Sequence, residues 1–191
     1  MQEARPRPLT DGVDVDDIGA AVHDFAAAIF PLPRSLTGEG VRETLRLVGE
    51  QVPLALTEVP TGTTIFDWTA PREWNVRDAW IADSKGRRVV DYRASNLHVV
   101  GYSVPVRKTM RGADLQEHLH SLPDRPDVIP YRTAYWAETW GFCVTGRQRD
   151  MIAPDEVYEV VIDASLEPGS LSLGEVVLPG DAEEEILLST Y

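Results

Sequence analysis

The sequence predicts an α/β protein in which helices and a mixed sheet are interrupted by a mainly β block. Three observations predict it. Apolar residues recur at helical spacing near the start, and the middle of the chain carries short β-like runs separated by turns. Longer strand-like runs return after Asp155. At 191 residues the chain can bury a real core, as one domain or as one domain carrying an insert.

Residues 1–12 are polar and Pro-rich and read as a loose lead-in. Asp14 or Asp16 can then cap a helix on which Ile18, Val22, Phe25 and Ile29 share one face, and Pro31 and Pro33 end it. A second helix follows in "RSLTGEGVRETLRLVGEQV", where Val41, Leu45 and Val48 recur at helical spacing. Thr37, Gly38 and Gly40 make the turn that opens it, and Pro53 stops it. "LALTEV" alternates as a strand until Pro60. From Thr61 the character changes. "AWIADSKGRRVVDY" places two strand-like runs around Ser84-Lys85-Gly86, a hairpin signal. "LHVVGYSVPV" reads as a strand bent at Gly101 or Pro105, "ADLQEHLHSL" as a short helix through Leu115, Leu119 and Leu122, and "TWGFCVT" as a strand. "EVYEVVIDASL" is a long strand, "GSLSLGEVVLP" one or two more, and the apolar run in "EILLSTY" a buried last strand.

A helical beginning and a strand-rich end flank a block of different composition. The expected division is therefore an outer α/β unit from residues 1–60 and 151–191, interrupted by an inserted β-rich domain at 61–150.

Composition narrows the function. An apolar fraction of 43% and five tryptophans argue for a folded protein. A formal charge of −13 makes nucleic acid or an anionic membrane surface poor partners. The first residues lack the apolar core and cleavage site of a signal peptide, and no segment has the apolar length of a membrane span, so a cytoplasmic location is expected. The single cysteine, Cys143 in "WGFCV", excludes an intramolecular disulfide and a multi-cysteine zinc site, and reads as a buried inert thiol.

Candidate chemistry is sparse. His118 and His120 are two apart, whereas a metal pair on a helix prefers a spacing of three or four, so two solvated histidines are favoured. A strand through "NLHVV" would project His98 to the face opposite Leu97 and Val99, where a satisfied structural histidine is the favoured reading because spacing assigns it no partner. "TGEGVR" lacks the lysine and the preceding apolar strand of a phosphate loop. A glycine-rich helix start is the favoured reading, although its backbone N–H groups could hold a carboxylate with Arg34 adding charge. No serine has a G-x-S-x-G setting, and spacing alone identifies no complete active site.

The stretches "RSLTGEGVRETL", "IFDWTAPREWNVRDAWI", "SNLHVVGYSVPV", "IPYRTAYWAETWGFCV", "YEVVIDASLEPGSLSLGE" and "PGDAEEEILLSTY" occur in order over most of the chain. They resemble consecutive blocks of the aminopeptidase-like branch of the zinc-dependent aminopeptidase superfamily, with its inserted domain of unknown function. The resemblance implies a partial zinc-aminopeptidase-type layer interrupted by the mainly β insert. It also implies zinc-assisted hydrolysis of an amino-terminal peptide or amide bond, with zinc as the cofactor of the complete family protein. In that family the strand resembling "EILLSTY" leads into a Cys-His-Pro-Ser segment, and the zinc ligands lie there and beyond. The chain is accordingly expected to be an N-terminal portion that lacks metal ligands and catalytic residues and binds no zinc alone. It would supply scaffold and the wall of the substrate pocket, with Arg34, Thr37 and His98 as candidate substrate-binding residues. The expected partner is a complementary C-terminal peptidase half, or a second copy. The alternative is a freestanding, non-catalytic binding or interaction module derived from that family.

Overall fold

The computed structural model describes residues 14–135, 137–181, 184 and 186–190. The lead-in expected at residues 1–12 lies outside the described residues. Among those described, the protein is mixed α/β, with small sheets and few helices.

Helix α1 (Val15–Ile29) begins where the sequence predicts: the Asp14 carboxylate accepts the N–H groups of Asp16 and Asp17 at 3.0 and 3.3 Å. Its apolar stripe is only partly covered, with Phe25 and Ile29 half-buried but Ile18 and Val22 exposed. Helix α2 (Glu39–Gly49) presents a half-buried apolar face, while Arg46 pairs with Glu43 and Glu50 on the surface. Strand β1 (Ala55–Pro60) follows, then a two-residue hairpin formed by β2 (Thr64–Ile65) and β3 (Trp68–Thr69).

Strands β4 (Glu73–Ala82) and β5 (Arg88–Asp91) form the predicted hairpin, with Gly86 at φ 77° in its turn. A 3-10 turn at Asn96–His98 leads toward β6 (Val106–Arg111). Helix α3 (Gly112–Leu115), a second 3-10 turn at Gln116–His118 and β7 (Leu119–His120) replace the longer helix expected there. Strand β8 (Phe142–Cys143) is the ordered part of the "TWGFCVT" run and pairs with β7 in parallel. Helix α4 (Gly146–Asp150) starts with a reciprocal cap: the Thr145 hydroxyl accepts the Gln148 N–H, and the Gln148 side chain accepts the Thr145 N–H. The long strand β9 (Val157–Glu167) and β10 (Ser170–Glu175) complete the elements.

The main sheet is antiparallel, in the order β5-β4-β9-β6. Ile81, Val160, Ile162 and Tyr158 pack against Leu115, Leu119, Phe142 and Tyr102 in one buried cluster. Full burial of each such side chain contributes roughly 1.5–3 kcal/mol. A separate ribbon joins β1 to β10, from Ala55 opposite Glu175 to Pro60 opposite Ser170. It packs closely on α2: a Cβ on Gly174 would lie 2.8 Å from Leu45 and Leu54.

Three further sequence expectations are corrected. The strand Val157–Glu167 does not pair with the outer segment; it lies between β4 and β6, because its alternating apolar residues complete that core. His98 sits in a 3-10 turn rather than a strand, since its N–H closes on the Ser95 carbonyl at 3.1 Å. Ile186, Leu187 and Leu188 form no strand and are about nine-tenths exposed. An apolar run becomes a buried strand only when an edge and a facing layer are there to receive it.

Candidate functional site

Thr37 stands at the junction between the ribbon and the main sheet. Just before α2 it bridges to Leu171 of β10, and the neighbouring Leu36 carbonyl accepts the Ser172 N–H. Its side chain is almost fully buried. The hydroxyl lies 2.6 Å from the Tyr102 hydroxyl and accepts the Trp74 N–H at 3.0 Å. Tyr102 stacks on Trp74 and meets Tyr135 edge-on, with ring centroids at 5.7 and 5.1 Å. The Trp74 indole N–H donates to the Ser103 carbonyl at 2.9 Å. Ser103 is fully buried, donates to the Val100 carbonyl, and accepts the Gly141 N–H. The Thr37 hydroxyl thus has two protein partners and almost no exposed surface.

The start of α2 is equally engaged. Gly38, at φ 92°, lets the backbone run so close that a Cβ would lie 2.3 Å from the Trp74 carbonyl oxygen. The Glu39 N–H donates to the Asn75 side chain at 2.7 Å. Arg34 is exposed, and its guanidinium donates to the Ile29 carbonyl at the end of α1, 2.6 Å away.

His98 is buried elsewhere, against α4 and β8. Its Nδ1 lies 2.7 Å from the Cys143 carbonyl, so that nitrogen carries the proton. Nε2 faces the Gln148 amide at 3.4 Å, and burial lowers the imidazole's proton affinity. The structure therefore gives Arg34, Thr37 and His98 separate partners. It does not assemble them into one constellation.

Sequence reasoning missed Glu73. Its carboxylate takes two hydrogen bonds from Arg42 at 3.0 and 2.5 Å, one from the Asn75 amide, and one from the Ser170 N–H. The Arg42 hydrogen bonds hold its pKa at about 2, so it is a fixed anion at neutral pH rather than a proton shuttle. Gly169 leaves room for it, since a Cβ there would lie 2.3 Å from a Glu73 oxygen. Arg42 and Glu73 are 31 residues apart, and no spacing rule joins them.

The remaining polar clusters are also internally paired. His118 stacks on Trp140 with centroids 3.5 Å apart, and Lys108 lies 4.9 Å from the same ring's centroid. Arg132 donates to His120 Nδ1 at 2.7 Å, which requires that nitrogen to be unprotonated. A shallow concavity of about 440 Å3 lies between Pro105, Glu138 and the end of β9, and Arg72 crosses it to bond Glu138 and the Leu166 carbonyl. Among the described residues no group of three or more His, Cys, Asp or Glu could hold a metal ion. With His98 committed to a carbonyl and His120 to a guanidinium, these side chains do not fit zinc. No helix among the described residues is long and apolar enough to cross a membrane.

Comparison with known proteins gives a class first. A protein of Clostridium acetobutylicum, provisionally described as a polysaccharide biosynthesis protein with an aminopeptidase-like domain, is 48% identical over 175 residues, 92% of this chain. A crystal structure of a protein from Clostridium acetobutylicum, provisionally described as a peptidase, matches with a TM-score of 0.80 and 47% identity over 83% of this chain. The chain spans 40% of the first relative's length and 37% of the second's. Both relatives carry peptidase-like descriptions, each for a protein of which this chain matches the smaller part. More particularly, residues 73–165 match the family described as "Domain of unknown function (DUF2172)". That match runs from the start of β4 almost to the end of β9, the span of the main sheet.

Proposed function

We propose that this chain is the amino-terminal portion of a peptidase-like hydrolase, to which it contributes scaffold and a wall of the substrate pocket. The supporting observation is its 48% identity, over 92% of its length, to a protein with an aminopeptidase-like domain of which it spans 40%. The distribution of exposed apolar side chains agrees with that reading. The main sheet closes its core, whereas Ile18, Leu56, Leu173 and Ile186–Leu188 of the flanking segments face solvent. Covering Ile186, Leu187 and Leu188 fully would contribute roughly 1.5–3 kcal/mol each, and covering the half-exposed Ile18, Leu56 and Leu173 less. A complementary peptidase-like part would provide that cover, and a second copy of the chain is the competing partner.

The finer reading follows from the family resemblance: zinc-dependent cleavage of an amino-terminal peptide or amide bond. The zinc and its ligands would come from outside this chain. Of the expected substrate-binding residues, Arg34 is exposed and Thr37 and His98 are buried, which supports Arg34 as the one that could reach a substrate.

The test joins this chain to the peptidase-like portion of the Clostridium acetobutylicum relative and assays amino-terminal hydrolysis with and without added zinc. Zinc-dependent activity in the joined protein, and none in the chain alone, is the expected result. Activity from the chain alone would overturn the reading. So would stoichiometric zinc retained through dialysis by the chain alone, which would promote His98, His118 and His120 to ligands. The alternative, a freestanding binding or interaction module, is favoured by the closed core of the main sheet. It would be chosen if the chain is a compact monomer with the backbone amides of residues 186–190 protected from exchange.

A further inference from the structure

The β2–β3 hairpin carries a residue that folding alone does not explain. Thr64 pairs with Thr69 and Ile65 with Trp68, leaving Phe66 and Asp67 as a two-residue loop. Phe66 has φ 52°, a conformation that is an outlier for a bulky side chain. At the first central position of a tight hairpin, positive φ belongs to glycine, asparagine or aspartate rather than to a ring-bearing residue. Yet Phe66 is 96% exposed, so its ring returns almost nothing to the core.

The hairpin's base, by contrast, is clamped. The Gly62 N–H donates to the Ala70 carbonyl, and the Ala70 N–H to the Thr63 carbonyl, both at 2.9 Å. The Thr61 hydroxyl donates to the Pro71 carbonyl and accepts the Gly169 N–H, each at 3.0 Å. This fixes the hairpin at the line where the β1–β10 ribbon meets the main sheet. A rigid base and a strained, exposed aromatic tip together describe a preorganised contact residue. The tip is convex. A small ligand needs a concave site, whereas a single projecting aromatic needs a pocket on a folded partner.

We propose that Phe66 is the anchor of an interaction finger that inserts into an apolar pocket of the peptidase-like part with which longer relatives continue. The inference rests on the reading of this chain as part of a larger peptidase-like protein, most of whose length lies outside it. The pocket holds the ring in a conformation that the isolated chain tolerates only at a cost.

The test compares Phe66→Gly and Phe66→Asn in two settings: this chain alone, and a fusion in which it replaces the matched segment of the Clostridium acetobutylicum relative. Both replacements accept positive φ, so in the chain alone the melting temperature should rise by about 2–4 °C. In the fusion the sign should reverse, because the ring's buried contacts are lost. A rise in both settings, with Leu173 and Ile186–Leu188 shielded from exchange in the fusion, would overturn the finger while leaving the larger reading intact. A rise in both settings without that shielding would overturn both. If the fusion does not fold, the relative's peptidase-like portion added in trans gives the second readout. There Phe66→Asn should weaken binding at least tenfold, and equal affinity would overturn the proposal.

Discussion

The hydroxyl of Thr37 lies 2.6 Å from that of Tyr102, across 65 residues of sequence. This contact ties the turn before α2 to the aromatic cluster under the main sheet. Tyr102 reaches it from a left-handed backbone conformation, φ 67°, while nearly fully buried. Neighbouring packing must hold that conformation in place.

Thr37→Val removes the partner of both the Tyr102 hydroxyl and the Trp74 N–H, whereas Tyr102→Phe removes only one bond. The first should cost about 2–3 kcal/mol and the second about 1 kcal/mol. Urea unfolding of both single variants and the double variant checks this. The double variant should be less destabilised than the sum, since the lost bond is counted twice.

Gly38→Ala should destabilise by about 2 kcal/mol or more, because it sets both a left-handed backbone and a backbone clash against a Cβ. The clash is with the Trp74 carbonyl, 2.3 Å from the added atom. Gly62→Ala is the control. It shares the positive φ but has nothing within 4 Å, so strain alone should act there.

Arg42 holds Glu73 at about 2, against an ordinary 4.5. A carboxyl whose folded value is depressed contributes stability above its unfolded value, and loses it as pH falls toward the folded one. The contribution at neutral pH is about 3 kcal/mol. Glu73→Gln should therefore cost about that much at pH 7, and the gap to wild type should close between about pH 4.5 and pH 2. Chemical denaturation across that range measures it.

His98 gives a second, separate window. Burial lowers its affinity for the proton, so the folded state resists protonation that the unfolded state accepts below 6.5. Its contribution is complete above that value and is lost as pH falls toward the folded value. His98→Gln should flatten this part of the stability profile while lowering stability at pH 7. Urea midpoints at intervals of half a pH unit would show it.

Local signals in the sequence read well. The Asp14 cap, the Ser84-Lys85-Gly86 turn and the apolar alternation of β9 each depend on near neighbours, and each element formed. What a neighbour cannot encode was not legible. The place of β9 between β4 and β6 depends on partners far along the chain, and so does the Glu73 anchor. His98 illustrates the limit: "NLHVV" alternates like a strand, but closure on Ser95 wins locally. For the candidate site, the sequence offered Arg34, Thr37 and His98 as substrate-binding residues, and nothing in it showed the partners that each side chain has within the fold.

Cys143 is the only cysteine in the chain and is completely enclosed. Burial pushes its thiol up to about 11, so almost none is thiolate at neutral pH. An alkylating reagent can thus react only after strand β8 has come away and the sulfur has met water. Each molecule can take up one adduct, and only after it has opened at least once. Mass spectrometry of a timed labelling reaction would then count opening events directly. The native sequence carries its own stopwatch for exposure of its core, with no engineered probe required.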